Sequence, residues 1–262
     1  MSTSKVSVEK NGHVLMIALN RPEKRNAFDI EMYRELGLAY GELHRTPDLR
    51  CGLLSANGDH FTAGLELNEW APYLSKGLFP DLPENAIDPM GLNNGPKLGK
   101  PMVMAMQGLC LTIGIELLLA TDIRVAAADT RFGQIEIKRG IYPVGGATIR
   151  LPREVGWGNA MRYLLTGDEI SAEEAYRTGL VQAVTEPGKQ MDRALAMAAT
   201  IARQAPLGVR ATLDSARLAF ANGEKAAFAK LLPDLMPIMN SEDVQEGIRS
   251  FMERREAEFK GC

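Results

Sequence analysis

The chain has 262 residues, 45% of them apolar and 24% charged, with a formal net charge of −3. That balance suits a folded protein with a substantial core and offers no basic surface for nucleic acid or an anionic membrane. Three widely spaced cysteines (Cys51, Cys110, Cys262) and only three histidines exclude a disulfide framework and make a zinc site a poor expectation.

The opening MSTSKVSVEKNG has no apolar signal core, and no stretch reaches the roughly 18 apolar residues that cross a bilayer. A cytoplasmic protein is therefore expected. Residues 6–8 and 14–19 read as two strands joined at Lys10-Asn11-Gly12, a hairpin signal. Asn20-Arg21-Pro22 ends the second strand. Asp29 is expected to cap a helix running to about Leu43, with Met32, Leu36 and Leu43 on its apolar stripe. Residues 49–55 form the next strand, Asn57-Gly58-Asp59 turns the chain, and Thr62-Ala63-Gly64 precedes a further helix.

Residues 71–99 carry five prolines and four glycines, so no long regular element is expected there. Such a loop is either a pocket wall or a solvated connector. Residues 102–106 read as a strand, followed by a glycine-containing turn and an apolar helix from about Ile113. Residues 147–155 and 158–166 read as helices, and Ser171-Ala172-Glu173-Glu174 matches a capping box. Residues 180–185 form another strand. From Gln190 the pattern is helical, ending in a helix over residues 241–259. Strands and helices alternate to about residue 186 and helices follow alone. The fold class is α/β, divided as a core over 1–190 and a C-terminal helical region over 191–262.

Two acids stand out. Glu116 lies on the apolar helix among Ile113, Ile115, Leu117, Leu118 and Leu119, where an unpaired carboxylate costs several kcal/mol in desolvation unless its pKa rises. Glu136, twenty positions on, sits among Phe132, Gly133, Ile135 and Ile137. Each has a plainer explanation: Glu116 complements a helix N-terminus, and Glu136 pairs with Lys138 or Arg139. Together they offer one base and one acid near neutral pH. Thr62-Ala63-Gly64-Leu65 and Leu111-Thr112-Ile113-Gly114 each place small or turn-forming residues before a helix, leaving N–H groups free to hold an oxyanion. The sequence has neither a dinucleotide-binding nor a P-loop glycine motif.

These residues resemble the enoyl-CoA hydratase/isomerase (crotonase) superfamily over nearly the whole chain. LNRPEKRNAF, GDHFTAGLELNEW, QGLCLTIGIELLLATDIRVAA, RFGQIEIKRGIYPVGGATIRLP and LLTGDEISAEEAYRTGLVQAV follow that family's motifs in order. The resemblance implies a spiral of ββα units with C-terminal helices that assemble a homotrimer or a dimer of trimers. It implies an acyl-CoA thioester substrate, with coenzyme A part of that substrate and no metal or redox cofactor. The oxyanion N–H groups fall on Leu65 and Ile113, and the catalytic acids on Glu116 and Glu136. The CoA-binding side falls on Arg25, Ala63, Glu66, Leu67 and Asn68, with Phe259 and Lys260 reaching the nucleotide, often from a neighbouring subunit. Val144 stands where a glycine amide commonly meets the catalytic water. Thr112-Ile113-Gly114 replaces a glycine triplet, and Ile135 replaces a proline. The implied activity is hydration of a 2-enoyl-CoA. A Δ3-Δ2-enoyl-CoA isomerase is the nearest alternative, and a non-catalytic thioester- or RNA-binding homologue is more distant.

Overall fold

The computed structural model describes residues 4–262. β1 (Val6–Asn11) and β2 (Val14–Leu19) form the expected hairpin, with Asn11 paired to Val14 and the turn displaced one residue to Gly12-His13. Gly12 takes a left-handed φ of 56° there, which costs glycine nothing. α1 (Ile30–Arg45) starts where expected, the Asp29 carboxylate accepting the Met32 N–H at 2.8 Å.

From there the chain climbs as a spiral. β3 (Cys51–Ala56), β4 (Met102–Met106), β6 (Ile123–Ala127) and β9 (Ala183–Thr185) add in parallel to β2, giving a six-stranded sheet ordered β1-β2-β3-β4-β6-β9. A second sheet holds β5 (Leu109–Leu111), β7 (Arg131–Gly133) and β8 (Glu169–Ser171) in that order. Each turn of the spiral contributes a strand to the large sheet, a short extended piece to the small one, and then a helix. The first turn ends in α2 (Leu67–Leu74), the second in α3 (Ile113–Leu118). The third ends in α4 (Ala147–Val155), which leads to α5 (Trp157–Thr166) and α6 (Ala172–Arg177).

Strand alternation divides the core into two layers. Leu54, Met102, Met104 and Met106 face the small sheet and α3, while Cys51, Leu53, Val103 and Ala105 face the other way. That second face is covered by α7 (Gln190–Ala202) through Ala194, Ala198 and Ala202, a stripe of three methyl groups spaced four residues apart. Small side chains let the helix lie close on the sheet, so α7 shares the strands' core. α8 (Pro206–Asn222), α9 (Glu224–Phe228), α10 (Leu231–Met239) and α11 (Glu242–Glu253) follow.

Three sequence readings need correction. Pro72 sits inside α2, which continues to Leu74. The strand placed over residues 180–185 is only three residues long, because Leu180 and Val181 instead pack beneath α6 and into the core. The last helix stops at Glu253, not at residue 259, because Arg254 turns left-handed (φ 56°) and Arg255 N–H returns to the Ser250 carbonyl. The tail then folds back on α11: the Lys260 and Gly261 N–H groups donate to the Asp243 carboxylate at 2.7 and 2.9 Å. Residues 75–101 contain no helix or strand, yet they are anchored. Asp88 accepts from Tyr33 Oη at 2.6 Å and from the Met90, Leu92 and Asn93 N–H groups.

Ala198 is fully buried against the sheet, so enlarging it forces helix and strands apart. Ala198→Leu is expected to cost about 1–3 kcal/mol, measured as a lower midpoint in chemical denaturation.

Candidate active site

The loop after β2 and the segment after β3 are tied by one buried amide. Asn26 (φ 53°) accepts the Arg21 N–H at 2.7 Å and donates to the carbonyls of Asn57 and His60 at 2.9 and 2.8 Å. Thr62 Oγ1 donates to the Asn26 carbonyl and receives the Gly64 N–H. The Ala63 N–H donates to the Arg25 carbonyl at 2.9 Å. The chain from Thr62 to Leu65 is thereby held in place.

This segment runs parallel to the one entering α3. Thr62 lies opposite Cys110, with the Thr62 N–H on the Leu109 carbonyl at 2.9 Å and the Leu111 N–H on the Thr62 carbonyl at 3.1 Å. Two residues on, Gly64 lies against Thr112: a Cβ added at Gly64 would stand 2.6 Å from Thr112 Oγ1. Gly64 also has φ 110°, so glycine is required there twice over. Thr112 itself sits at φ 50°, ψ −110°, a costly conformation for a β-branched residue, and its buried hydroxyl has no partner among the described residues. One further residue on each segment brings up Leu65 and Ile113. Neither N–H has an acceptor among the described residues. Two free, rigidly held amides on adjacent segments form a place for a negatively charged oxygen.

Glu116 follows on the first turn of α3, 5% exposed. Its carboxylate accepts the Gly145 N–H from the loop before α4. The approach is so close that a Cβ at Gly145 would lie 2.1 Å from Oε2. Burial, then the nearby Glu136 charge, pushes the Glu116 carboxyl up to about 7, against the pull of the Gly145 and Ala147 amides and of Arg150. Glu136 opens a short 3-10 turn (Glu136–Arg139) after β7, and burial raises it to about 7 as well. No ion pair joins Glu136 to Lys138 or Arg139, which are exposed.

Sequence reasoning missed two groups here. Gln134 is 1% exposed; with its amide turned to satisfy both polar atoms, its NH2 donates to Glu136 Oε1 and Oε2 at 2.9 and 3.1 Å and lies 3.3 Å from the Thr112 carbonyl. The clue was the two-residue spacing to Glu136, which in extended chain puts both on one side. Gly145 was the other, visible only as half of a Gly-Gly pair.

The remaining predicted residues divide. Leu67 and Asn68 are exposed at the start of α2, and Arg25 is exposed beside Ala63. The Glu66 carboxylate is held by Arg21 at 2.5 Å, and its N–H donates to the Phe28 carbonyl at 2.9 Å. Val144 is 41% exposed, next to Gly145. Phe259 and Lys260 do not join them within one chain. The Phe259 carbonyl accepts from Arg50 at 2.7 Å, just before β3, whereas the Leu65 segment follows the opposite end of that strand. Near Glu116, a cavity of about 330 Å3 is lined by Met90, Gly91, Leu119 and Arg150 among others.

Comparison with known proteins fits this geometry. The family model described as enoyl-CoA hydratase/isomerase matches residues 9–262. An enoyl-CoA hydratase of Mycobacterium tuberculosis is 36% identical over 253 residues, covering 97% of this chain and 95% of that protein. The (E)-benzylidenesuccinyl-CoA hydratase of Thauera aromatica is 34% identical over 268 residues, covering 98% and 99%. The crystal structure of a probable enoyl-CoA hydratase/isomerase from Mycobacterium abscessus superposes with a TM-score of 0.96 at 48% identity, covering all of both chains.

The raised carboxyls fix the sign of a stability test. Unfolded, each glutamate ionises near 4.5; folded, near 7. The folded chain therefore binds more protons between those values, and this contribution falls as pH rises through the window. Glu116→Gln is expected to raise the melting temperature relative to the parent above pH 7. The advantage should shrink steadily toward pH 4.5, and a difference independent of pH would contradict the buried, raised carboxyl.

Proposed function

The chain belongs to the enoyl-CoA hydratase/isomerase family, and on that premise we propose that it adds water reversibly across the double bond of a 2-enoyl-CoA. The observation that carries this reading is the joint presence of Glu116 and Glu136, both raised to about 7, beside the free amides of Leu65 and Ile113. Relatives across the whole chain carry hydratase names.

In the proposed reaction the thioester oxygen sits between the Leu65 and Ile113 N–H groups. Conjugation lets an attack at Cβ move electrons onto that oxygen, so the amides bind the transition state more strongly than the substrate. Losing one such donor costs about 3 kcal/mol, on the order of a hundredfold in rate. Glu116 takes a proton from water as the oxygen bonds to Cβ, and Glu136 gives a proton to Cα. The two acids need to hold one proton between them, which a coupled pair titrating near neutrality supplies. Gln134 would orient Glu136, and the Gly145 N–H would orient Glu116. No metal or redox group is called on in this scheme.

Arg25, Ala63, Glu66, Leu67 and Asn68 are assigned to the pantetheine and nucleotide side, Val144 to the water and acyl side. The anchored loop over residues 75–101 would wall the acyl end through Met90 and Gly91. Phe259 and Lys260 would serve a neighbouring subunit's nucleotide, which calls for an oligomer. Apolar side chains left on the C-terminal helices favour one: Leu232, Met236 and Phe251 are 71%, 68% and 85% exposed. Among the described residues no helix is long and apolar enough to cross a membrane.

Crotonyl-CoA and longer or aryl analogues should lose their conjugated absorbance on addition of the protein. Glu116→Gln and Glu136→Gln should each lower kcat by several decades, with CoA binding retained. Full activity in either variant would overturn the two-acid mechanism, and survival of double-bond migration in Glu116→Gln would indicate an isomerase. The parent kcat/KM should trace a bell against pH with its maximum near 7. Light scattering should give three or six times the mass of one chain, falling toward one in a Leu232→Glu/Phe251→Glu variant.

A further inference from the structure

At the end of the large sheet away from Leu65 and Ile113 lies a second cavity, of about 310 Å3. It is framed by the C-terminal turn of α1, the residues leading into β3 and β4, and the first turn of α8. Its charged lining is entirely basic: Arg45, Arg50, Lys100 and Arg210, with His44 between them. Three of the four cations are held by neutral carbonyls, which fix their positions and leave their charge unbalanced. Lys100 donates to the Thr46 carbonyl at 2.6 Å, Arg50 to those of Ala202 and Phe259 at 3.2 and 2.7 Å, and Arg45 to that of Asn85.

The acids nearby do not neutralise this group. Arg210 meets Asp214 at 3.8 Å, one turn along α8, with both side chains more than half exposed. Such a contact is worth little. Asp48 is exposed and touches Lys100 only through its field. The Gly99 N–H donates to His44 Nδ1 at 3.3 Å, so that nitrogen is unprotonated and His44 adds no obligatory charge. Burial and then the charges of Arg210, Lys100 and Arg45 hold His44 below its ordinary range, and burial with Arg210 does the same to Lys100.

The backbone adds to the same potential. α8 is 17 residues long and begins at Pro206 without a side-chain cap. The first-turn N–H groups of Leu207 and Gly208 have no acceptor among the described residues. Pro206 and Leu207 line the cavity, so the positive end of the helix dipole faces the four cations.

We propose that this cavity binds a small phosphate-bearing anion of about diphosphate size, at a site separate from that of the acyl thioester. One carboxylate would leave most of the charge uncompensated. A diphosphate presents several oxygens to guanidinium forks, an ammonium and helix amides at once. The anion would bridge α1, the entry to β4 and α8, fastening the C-terminal helices to the sheet. The source is either inorganic diphosphate or a nucleoside diphosphate.

Calorimetric titration of the full chain at fixed ionic strength tests this, with pyrophosphate in one arm and adenosine diphosphate in the other. Saturable one-to-one binding is expected in at least one arm, and which arm binds identifies the source. Arg210→Gln/Lys100→Gln should weaken it at least tenfold, and Arg210→Glu alone should do so without touching a buried side chain. Turnover of crotonyl-CoA should be unchanged in Arg210→Glu, so the result stands whether or not the chain is a hydratase. Absence of saturable binding in both arms, or equal binding by the parent and Arg210→Glu, would overturn the proposal.

Discussion

The parallel alignment of the Thr62–Leu65 segment with the chain entering α3 is the constraint on which the site depends. Two ladder hydrogen bonds at Thr62 fix the register, and the free amides of Leu65 and Ile113 follow three residues later on each side. Just before the two amides the segments approach so closely that a Cβ at Gly64 would stand 2.6 Å from Thr112 Oγ1. The strained Thr112 backbone belongs to the same arrangement. Its cost is borne by a surrounding core that includes Phe61, Cys110 and Phe132.

The two carboxyls depend on that core differently. Glu116 is carried by a six-residue helix among apolar neighbours, and the Gly145 and Ala147 amides at the start of α4 steady it. Glu136 is carried by a turn of the small sheet and steadied by Gln134, which also reaches the Thr112 carbonyl. The acid is thus linked through one buried amide to the segment bearing the Ile113 N–H. Burial that keeps both carboxyls near neutrality is destabilising to their charged forms, a cost of the kind found at sites built for proton transfer.

Much of this was readable from residue order where the signal was local. The hairpin at Gly12, the Asp29 cap and the Ser171 cap each rest on a few adjacent residues. Glu116 and Glu136 stood out as acids in apolar surroundings, and Leu65 and Ile113 followed from the resemblance to the family's motifs. The strands β5, β7 and β8 are three residues each, too short for any periodicity, and exist because neighbouring turns of the spiral offer them partners. The left-handed Arg254 carries no glycine to announce it, and Glu246 and Glu253 fix it from outside through Arg255. Likewise the alanines of α7 look like ordinary helix formers, and only the sheet beneath them shows why they are small.

The long loop over residues 75–101 has a further meaning. It lies between the segments that supply the two amides, yet contributes nothing to their register, which the Thr62 ladder sets alone. Its own position is set by Asp88, which accepts from Tyr33 of α1 and from three N–H groups of the loop itself. Away from the Asp88 anchor and Met90, length and composition in this stretch are therefore free to drift through insertion and deletion without disturbing the register of the two amides. One scaffold can so give rise to descendants that differ in appetite while sharing a single chemical step, and the proline-rich character of this loop is where such divergence would leave its mark.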